Sequence, residues 1–123
     1  MTVGWKLDDA ARARLLELVP PRWPVPVADH VTLRSGELLP AAAEIVGIGE
    51  ADDGEGVQAL IVTVDGTTLR PDGGTYHITW SLDRDRGRKA VESNALIGRH
   101  GWRPLVQALP VSAAPARWTW VDP

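Results

Sequence analysis

The chain has 123 residues, of which 44% are hydrophobic and 24% charged, and its formal net charge is -3 at pH 7. This length and composition predict a single globular domain spanning residues 1–123. The acidic balance gives no general attraction to a nucleic-acid backbone. Because cysteine is absent, disulfides, thiolate catalysis and cysteine-ligated metals are excluded.

The sequence shows no signal for a membrane or for export. No apolar run approaches the roughly 20 residues that cross a bilayer, and residues 1–6 lack the apolar region of a signal peptide. We therefore expect a cytoplasmic protein with no membrane partner.

The first half of the chain predicts one helix and three strands. The helix spans residues 8–18, because Asp8 and Asp9 suit the positive end of the helix dipole and Pro20-Pro21 ends it. Alternating prolines make residues 23–26 an extended connector. The strands are predicted at 28–34, 43–49 and 57–64, with an acidic turn at 52–56. The last strand is apolar and β-branched, which is typical of a core strand.

The second half adds further strands and a short helix. In chain order we predict a short strand at 67–70, a turn at 71–74, a strand at 75–82, a charged loop at 83–89 and an edge strand at 117–121. Ser93 is predicted to cap a helix that continues through Ile97 and ends at Gly98. Residues 102–109 fit either helix or loop. The whole pattern predicts an α+β domain dominated by antiparallel sheet.

Two of the predicted strands carry the same pattern, Asp29-His30-Val31-Thr32-Leu33 and Tyr76-His77-Ile78-Thr79-Trp80. Side chains alternate between the faces of a strand, so each histidine points the same way as the threonine two residues later. The apolar residues between them then face a core. Any half-exposed strand alternates in this way, but the chain has only three histidines, which makes the repeat informative.

Two imidazoles and two hydroxyls on facing strands suit phosphodiester chemistry. Near neutral pH one imidazole can act as a base while the other acts as an acid. In hydrolysis of a 2′,3′-cyclic phosphate, one takes a proton from water and the other protonates the leaving sugar oxygen. The hydroxyls of Thr32 and Thr79 can hold the non-bridging oxygens. The sequence leaves open which histidine is the base.

These motifs resemble the signature of the two-histidine (2H) phosphoesterase superfamily, a pair of His-x-Thr motifs on pseudo-symmetric β-rich lobes. The context Pro20-Pro21-Arg22-Trp23 adds to the likeness. Residues 90–97 resemble a small-domain variant in which a Ser-Asn pair follows the second histidine strand. Members include RNA 2′,3′-cyclic phosphodiesterases and 2′,5′ RNA ligase-like proteins.

The resemblance implies two β lobes with a few flanking helices and a central cleft, with no metal and no cofactor. By position, His30 and His77 are similar to the catalytic pair of that family. Thr32 and Thr79 are similar to its phosphate-binding pair.

Five further residues are candidates for contact with substrate. Arg34 and Ser81 continue the polar faces of the two motif strands, and Arg88 follows the second motif in a charged segment. Ser93 and Asn94 lie at a predicted helix start, where anions bind. Each also has a structural alternative: an exposed strand residue, a solvated loop or a helix cap.

The sequence thus predicts a metal-independent phosphodiesterase that hydrolyses 2′,3′-cyclic phosphate ends of RNA or small cyclic nucleotides. One alternative uses the same four residues for ligation or transfer at RNA ends. Another is a binding module that recognises phosphorylated ligands or RNA ends without turnover. A structural β-domain with accidental motifs would leave the two imidazoles far apart.

Overall fold

The computed structural model describes residues 1–119, which form two antiparallel sheets and two α-helices. In chain order the elements are β1 (Thr2–Leu7), α1 (Asp9–Leu18), β2 (Val25–Pro26), β3 (His30–Ser35), β4 (Ile45–Asp52), β5 (Val57–Val64), β6 (His77–Leu82), a short 3-10 helix (Arg84–Arg86), α2 (Glu92–His100), β7 (Arg103–Val111) and β8 (Ala113–Trp118). One sheet has the order β3-β1-β8 and the other the order β2-β6-β5-β4-β7. The predicted sheet-rich α+β class is confirmed.

A bilayer-spanning helix is not found within residues 1–119, where neither helix is long and apolar enough to cross a membrane. The longer helix, α1, has 10 residues. A bilayer requires roughly 20 residues in a helix.

One hydrophobic core lies between the two sheets and α1. Its largest fully buried side chain is Trp80, whose indole Nε1 donates to the carbonyl oxygen of Val19 at 2.8 Å. This bond fixes the end of α1 against β6. Other members of this core come from both sheets and from α1, namely Trp5, Val31, Leu60, Val62, Ile78 and Leu15.

A second core lies on the opposite face of the five-stranded sheet, beneath α2. It contains Ala59 and Ile61 of β5 together with Leu96 and Ile97 of α2. Alternate residues of β5 therefore serve the two cores, which is why this strand is apolar almost throughout. The predicted core strand at 57–64 matches β5.

The chain passes from one sheet to the other at Ala28. The backbone N–H of Ala28 donates to the carbonyl of Thr79 at 3.0 Å, so this residue still lies along β6. One residue later, the carbonyl of Asp29 accepts from Leu7 N at 3.0 Å, so the chain has joined β1. Ala28 is buried and has a φ of 45°, a left-handed conformation that turns the chain. Strand β3 therefore starts beside β6.

Each motif strand contains one extra residue at the same position. The pairs on either side of the register shift are Val3 with Arg34 and Gly4 with Thr32 in one sheet, and Gln58 with Ser81 and Ala59 with Thr79 in the other. These pairings skip Leu33 in β3 and Trp80 in β6, the third residue after the histidine in both cases. Such a bulge bends a strand and interrupts its alternation of faces. The two motif strands are thus equivalent in geometry as well as in sequence.

Several elements differ from the sequence prediction. Strand β1 was not predicted, although Val3, Trp5 and Leu7 alternate with less apolar neighbours. Residues 102–109, predicted as either helix or loop, lie largely in β7, an edge strand paired with β4; prolines occur in sheets mainly on such edges. The predicted strand at 67–70 is wrong, because Thr67 and Leu69 form only isolated bridges.

The predicted helix after the second motif and the predicted last strand are both displaced. Helix α2 begins at Glu92 and continues through Gly98 to His100. Strand β8 covers Ala113–Trp118 at a sheet edge. Residues 120 and 121 of the predicted edge strand lie outside the described residues.

We expect Gly4→Ala to lower the free energy of unfolding by about 2–3 kcal/mol, in the range of overpacked sites. A Cβ at this position would overlap the carbonyl oxygen of Val31 on β3, so the bulged pairing of β1 with β3 would have to shift. Urea denaturation measures the change.

Gly98→Ala is the matched control. A Cβ there meets nothing within 4 Å, and alanine is the better helix former. This variant should gain about 0.5–1 kcal/mol. A Gly4→Ala protein as stable as wild type would contradict the close approach of β1 and β3.

Candidate active site

A cleft of about 430 Å³ lies between β3 and β6, and its lining includes His30, Thr32, His77 and Thr79. Within each motif the intervening apolar residue packs in the core between the sheets, so the histidine and threonine face the other way. The turn after residue 70 and the start of α2 complete the walls. The strand switch at Ala28 thereby brings the polar faces of both motifs to one cavity.

His77 is a neutral imidazole with a fixed tautomer. Its Nδ1 lies 2.8 Å from the carbonyl oxygen of Thr75, and because a carbonyl only accepts, Nδ1 carries the proton. Burial lowers the pKa of His77 from 6.5 to about 4; the bond to Thr75 opposes this shift, and the positive charges of Arg70 and His30 add to it. At neutral pH, Nε2 of His77 therefore holds a lone pair.

His30 has different surroundings. Its Nδ1 lies 3.0 Å from Oδ2 of Asp29, and because a carboxylate oxygen accepts, the Nδ1 of His30 carries the proton of this bond. The Nζ of Lys6 lies 3.8 Å from the same carboxylate oxygen. The indole of Trp118 packs against the imidazole with the ring centroids 4.4 Å apart. The two histidines are thus chemically distinct.

The hydroxyl of Thr79 is held from behind by the segment that leads into α2. It donates to the carbonyl of Ala90 at 3.3 Å and lies 2.9 Å from Oγ of Ser93, which is fully buried. Ser93 is therefore not the predicted helix cap; Val91 occupies the N-cap position and makes no side-chain capping bond. Ser93 supports Thr79 and does not line the cleft.

Two of the other predicted residues, Arg34 and Asn94, line the cleft. Arg34 is exposed, and its Nη2 donates to the carbonyl of Leu38 at 3.5 Å. The side-chain Oδ1 of Asn94 accepts from Nη2 of Arg70 at 3.2 Å. Asn94 therefore holds an arginine at the cleft wall.

Ser81 does not reach the cleft, which corrects its inclusion among the substrate-binding residues. It is buried, and its Oγ donates to Oε1 of Gln58 at 2.6 Å and accepts from Trp23 N at 3.1 Å. The prediction assumed unbroken alternation along β6. The bulge at Trp80 breaks that alternation, so Ser81 leaves the face of the motif.

Arg88 is likewise absent from the cleft lining. Its guanidinium donates to Oδ2 of Asp53 at 2.7 Å, to Oε1 of Glu92 at 3.1 Å and to the carbonyl of Glu55 at 2.6 Å. These bonds tie the turn between β4 and β5 to α2. Its role here is structural, and it too leaves the predicted substrate-binding set.

Three charged residues of the cleft lining were not predicted: Asp29, Arg70 and Asp72. A signal for Asp29 was present, since it directly precedes His30. Arg70 had no such signal, because its place depends on the turn that folds it back against α2. Among residues 1–119, no three His, Asp or Glu side chains converge in a way that would hold a metal ion.

No similar protein was found. Neither a family model, nor a curated protein, nor a solved structure matches this chain. The resemblance to the 2H superfamily therefore stays a prediction from the two motifs, and the functional argument depends on the geometry of the cleft.

We expect His77 to make the protein less stable in acid. The pKa of His77 in the folded protein, about 4, lies below the ordinary histidine value of 6.5, so between these pH values the unfolded state binds more protons. The corresponding stability is complete above pH 6.5 and is lost as the pH falls to 4. Its size is about 3 kcal/mol, and His77→Gln should remove it.

Urea denaturation between pH 7 and pH 4 measures this effect. His100→Gln serves as the control, because His100 is exposed at the end of α2. A His77→Gln protein that loses as much stability in acid as wild type would contradict the lowered pKa.

Proposed function

We propose that this protein is a metal-independent phosphodiesterase that opens 2′,3′-cyclic phosphates by acid-base catalysis with two histidines, acting in the cytoplasm. The main support is that both imidazoles and both threonines of the motifs line one cleft. Proton transfer on both sides of a phosphorus atom needs two such groups on facing walls. No cofactor enters the proposed reaction.

His77 is the proposed base. It is neutral at neutral pH, and the bond from its Nδ1 to the Thr75 carbonyl leaves the Nε2 lone pair to accept a proton. Nε2 takes a proton from a water molecule as the water oxygen bonds to phosphorus. A pKa near 4 makes this a weaker base than a free imidazole, but one that stays unprotonated in mild acid.

His30 is the proposed acid. As the bond from phosphorus to one ribose oxygen breaks, the imidazolium of His30 gives its Nε2 proton to that oxygen. The carboxylate of Asp29 accepts the Nδ1–H and orients the ring, so that Nε2 is the nitrogen that transfers its proton. Proton movement from water to His77 and from His30 to the sugar balances the reaction; solvent exchange then resets both rings.

The threonines are proposed to bind the non-bridging phosphoryl oxygens. Thr79 can turn its proton from the Ala90 carbonyl to such an oxygen, while Oγ of Ser93 continues to donate to Thr79. A donor chain of this kind strengthens the last hydrogen bond. Thr32 offers the matching hydroxyl from β3.

The cleft favours a small substrate or the end of a longer one. Its volume of about 430 Å³ lies at the lower end of the usual range for small-molecule sites. The net charge of -3 favours recognition of an RNA end or a small cyclic nucleotide over binding of an extended backbone. The apolar wall residues Val27, Leu33 and Val91 offer a surface for a sugar or base.

We expect His30→Ala and His77→Ala each to lower the turnover of 2′,3′-cyclic nucleotides by about 10²- to 10⁴-fold. The substrates are the four nucleoside 2′,3′-cyclic phosphates and a short RNA ending in the same group, assayed with EDTA present. His100→Ala, the exposed third histidine, should retain wild-type turnover.

The wild-type result separates the alternatives. Turnover lost in both motif variants and kept in His100→Ala supports the proposal, and the product shows which ribose oxygen leaves. Joining of RNA ends in place of hydrolysis would support the ligase alternative. A folded wild-type protein that binds but converts none of these substrates would contradict hydrolysis and favour the binding module.

We expect Asp29→Asn to lower kcat about 10- to 100-fold, as for other side chains that orient a functional histidine. The neutral amide orients the ring of His30 less firmly through Nδ1 than the carboxylate does, so kcat should fall more than KM rises. Lys6→Gln removes the cation beside the same carboxylate and should change kcat little. Equal losses in the two variants would argue that Asp29 acts only through packing.

A further inference from the structure

We propose that Arg70 is a substrate-binding residue whose guanidinium holds an anionic phosphoryl oxygen beside His77. This inference rests on the proposed function for the identity of the anion as a phosphoryl group. Arg70 belongs to neither motif, and it is the buried cation of the cleft lining.

The first argument is the burial of its charge. The side chain of Arg70 is only 10% exposed, whereas its carboxylate partner Asp72 is 60% exposed. A buried cation is unfavourable unless its charge is compensated. Water screens a largely exposed carboxylate, so Asp72 compensates the guanidinium in part, and an anion in the cleft would complete the compensation.

The second argument is the number of donors. Nε of Arg70 donates to Oδ1 of Asp72 at 2.9 Å, and Nη2 donates to Oδ1 of Asn94 at 3.2 Å. No hydrogen bond between described residues uses Nη1. A guanidinium has five N–H groups in a planar fork, so three remain for a ligand. That geometry suits two oxygens of one phosphate.

The third argument is that the surrounding turn is shaped for this side chain. The backbone N–H of Arg70 donates to the carbonyl of Gly74, and that of Gly73 donates back to Arg70, each at 2.9 Å. A Cβ on Gly74 would lie 2.7 Å from Nη2 of Arg70, so a side chain there would displace the guanidinium. Arg70 is therefore held in place from the turn and from α2.

The start of α2 is a weaker candidate for the same anion. The N–H groups of Glu92, Ser93 and Asn94 already donate to the carbonyls three residues earlier, so the first turn offers few donors. Arg34 is exposed, and holding its long side chain in one position costs conformational entropy. Arg70 has neither disadvantage.

The test is titration with inorganic phosphate, which needs no turnover. In NMR spectra of the wild-type protein, the chemical shift of the Arg70 Nε–H should change as phosphate binds. Arg70→Gln should weaken phosphate binding about 10- to 100-fold, as expected for lost hydrogen bonds to a charged group. Asp72→Asn should bind phosphate at least as tightly as wild type, because it removes a competing anion. Arg103→Gln, whose arginine is 78% exposed beside Glu50, should be unchanged.

A folded Arg70→Gln protein that binds phosphate as tightly as wild type would overturn the inference. If this variant fails to fold, an Nε–H resonance that stays unmoved at saturating phosphate overturns it, and one that moves supports it. The two proposals fail separately. If phosphate binding depends on Arg70 but no cyclic phosphate is turned over, the role of Arg70 is supported and the proposed hydrolysis is contradicted. If the wild-type protein turns over cyclic phosphates but Arg70→Gln binds phosphate as tightly as wild type, hydrolysis is supported and the role of Arg70 is contradicted.

Discussion

The cleft depends on one backbone conformation, the left-handed turn at Ala28. The left-handed conformation of a non-glycine residue is unfavourable by about 1–2 kcal/mol. At Ala28 the burial of the side chain and the hydrogen bond to Thr79 offset this energy. If the chain continued straight, β3 would extend along β6, and both histidines would lie in one sheet. The turn sends β3 to the other sheet, so that His30 reaches the cavity from a separate wall.

The two motif strands are alike in sequence and bulge, yet they place their histidines in unlike electrostatic environments. His77 is half-buried, and the loss of solvent together with the charge of Arg70 lowers its pKa, although the bond to the Thr75 carbonyl opposes that shift. His30 has its Nδ1 3.0 Å from the carboxylate of Asp29. The proposed base and the proposed acid thus share one strand geometry but have different hydrogen-bond partners.

The alternation of residues along each motif strand correctly predicted that its histidine and threonine face the same side. His30, Thr32, His77 and Thr79 were found because alternation along a strand holds over three residues. Alternation failed at the bulges, which is why Ser81 was misplaced. The sequence also could not indicate Arg70, since its place depends on contacts with α2. The sequence did not predict β1, and it predicted the β7 region as helix or loop. Both strands pair with segments distant in the chain, so local patterns do not indicate them.

Strand β1 has a consequence for how the molecule assembles during synthesis. It is the middle strand of its sheet, and on one side it pairs with β8, joining Thr2 to Trp118. Contacts so distant along the chain form slowly, and during synthesis they wait until both strands have left the ribosome. The centre of the sheet that carries His77 consists of β4, β5 and β6, which follow one another in the chain and pair locally. From sequence separation alone, we expect the three-stranded sheet beside His30 to be completed after the centre of the other sheet.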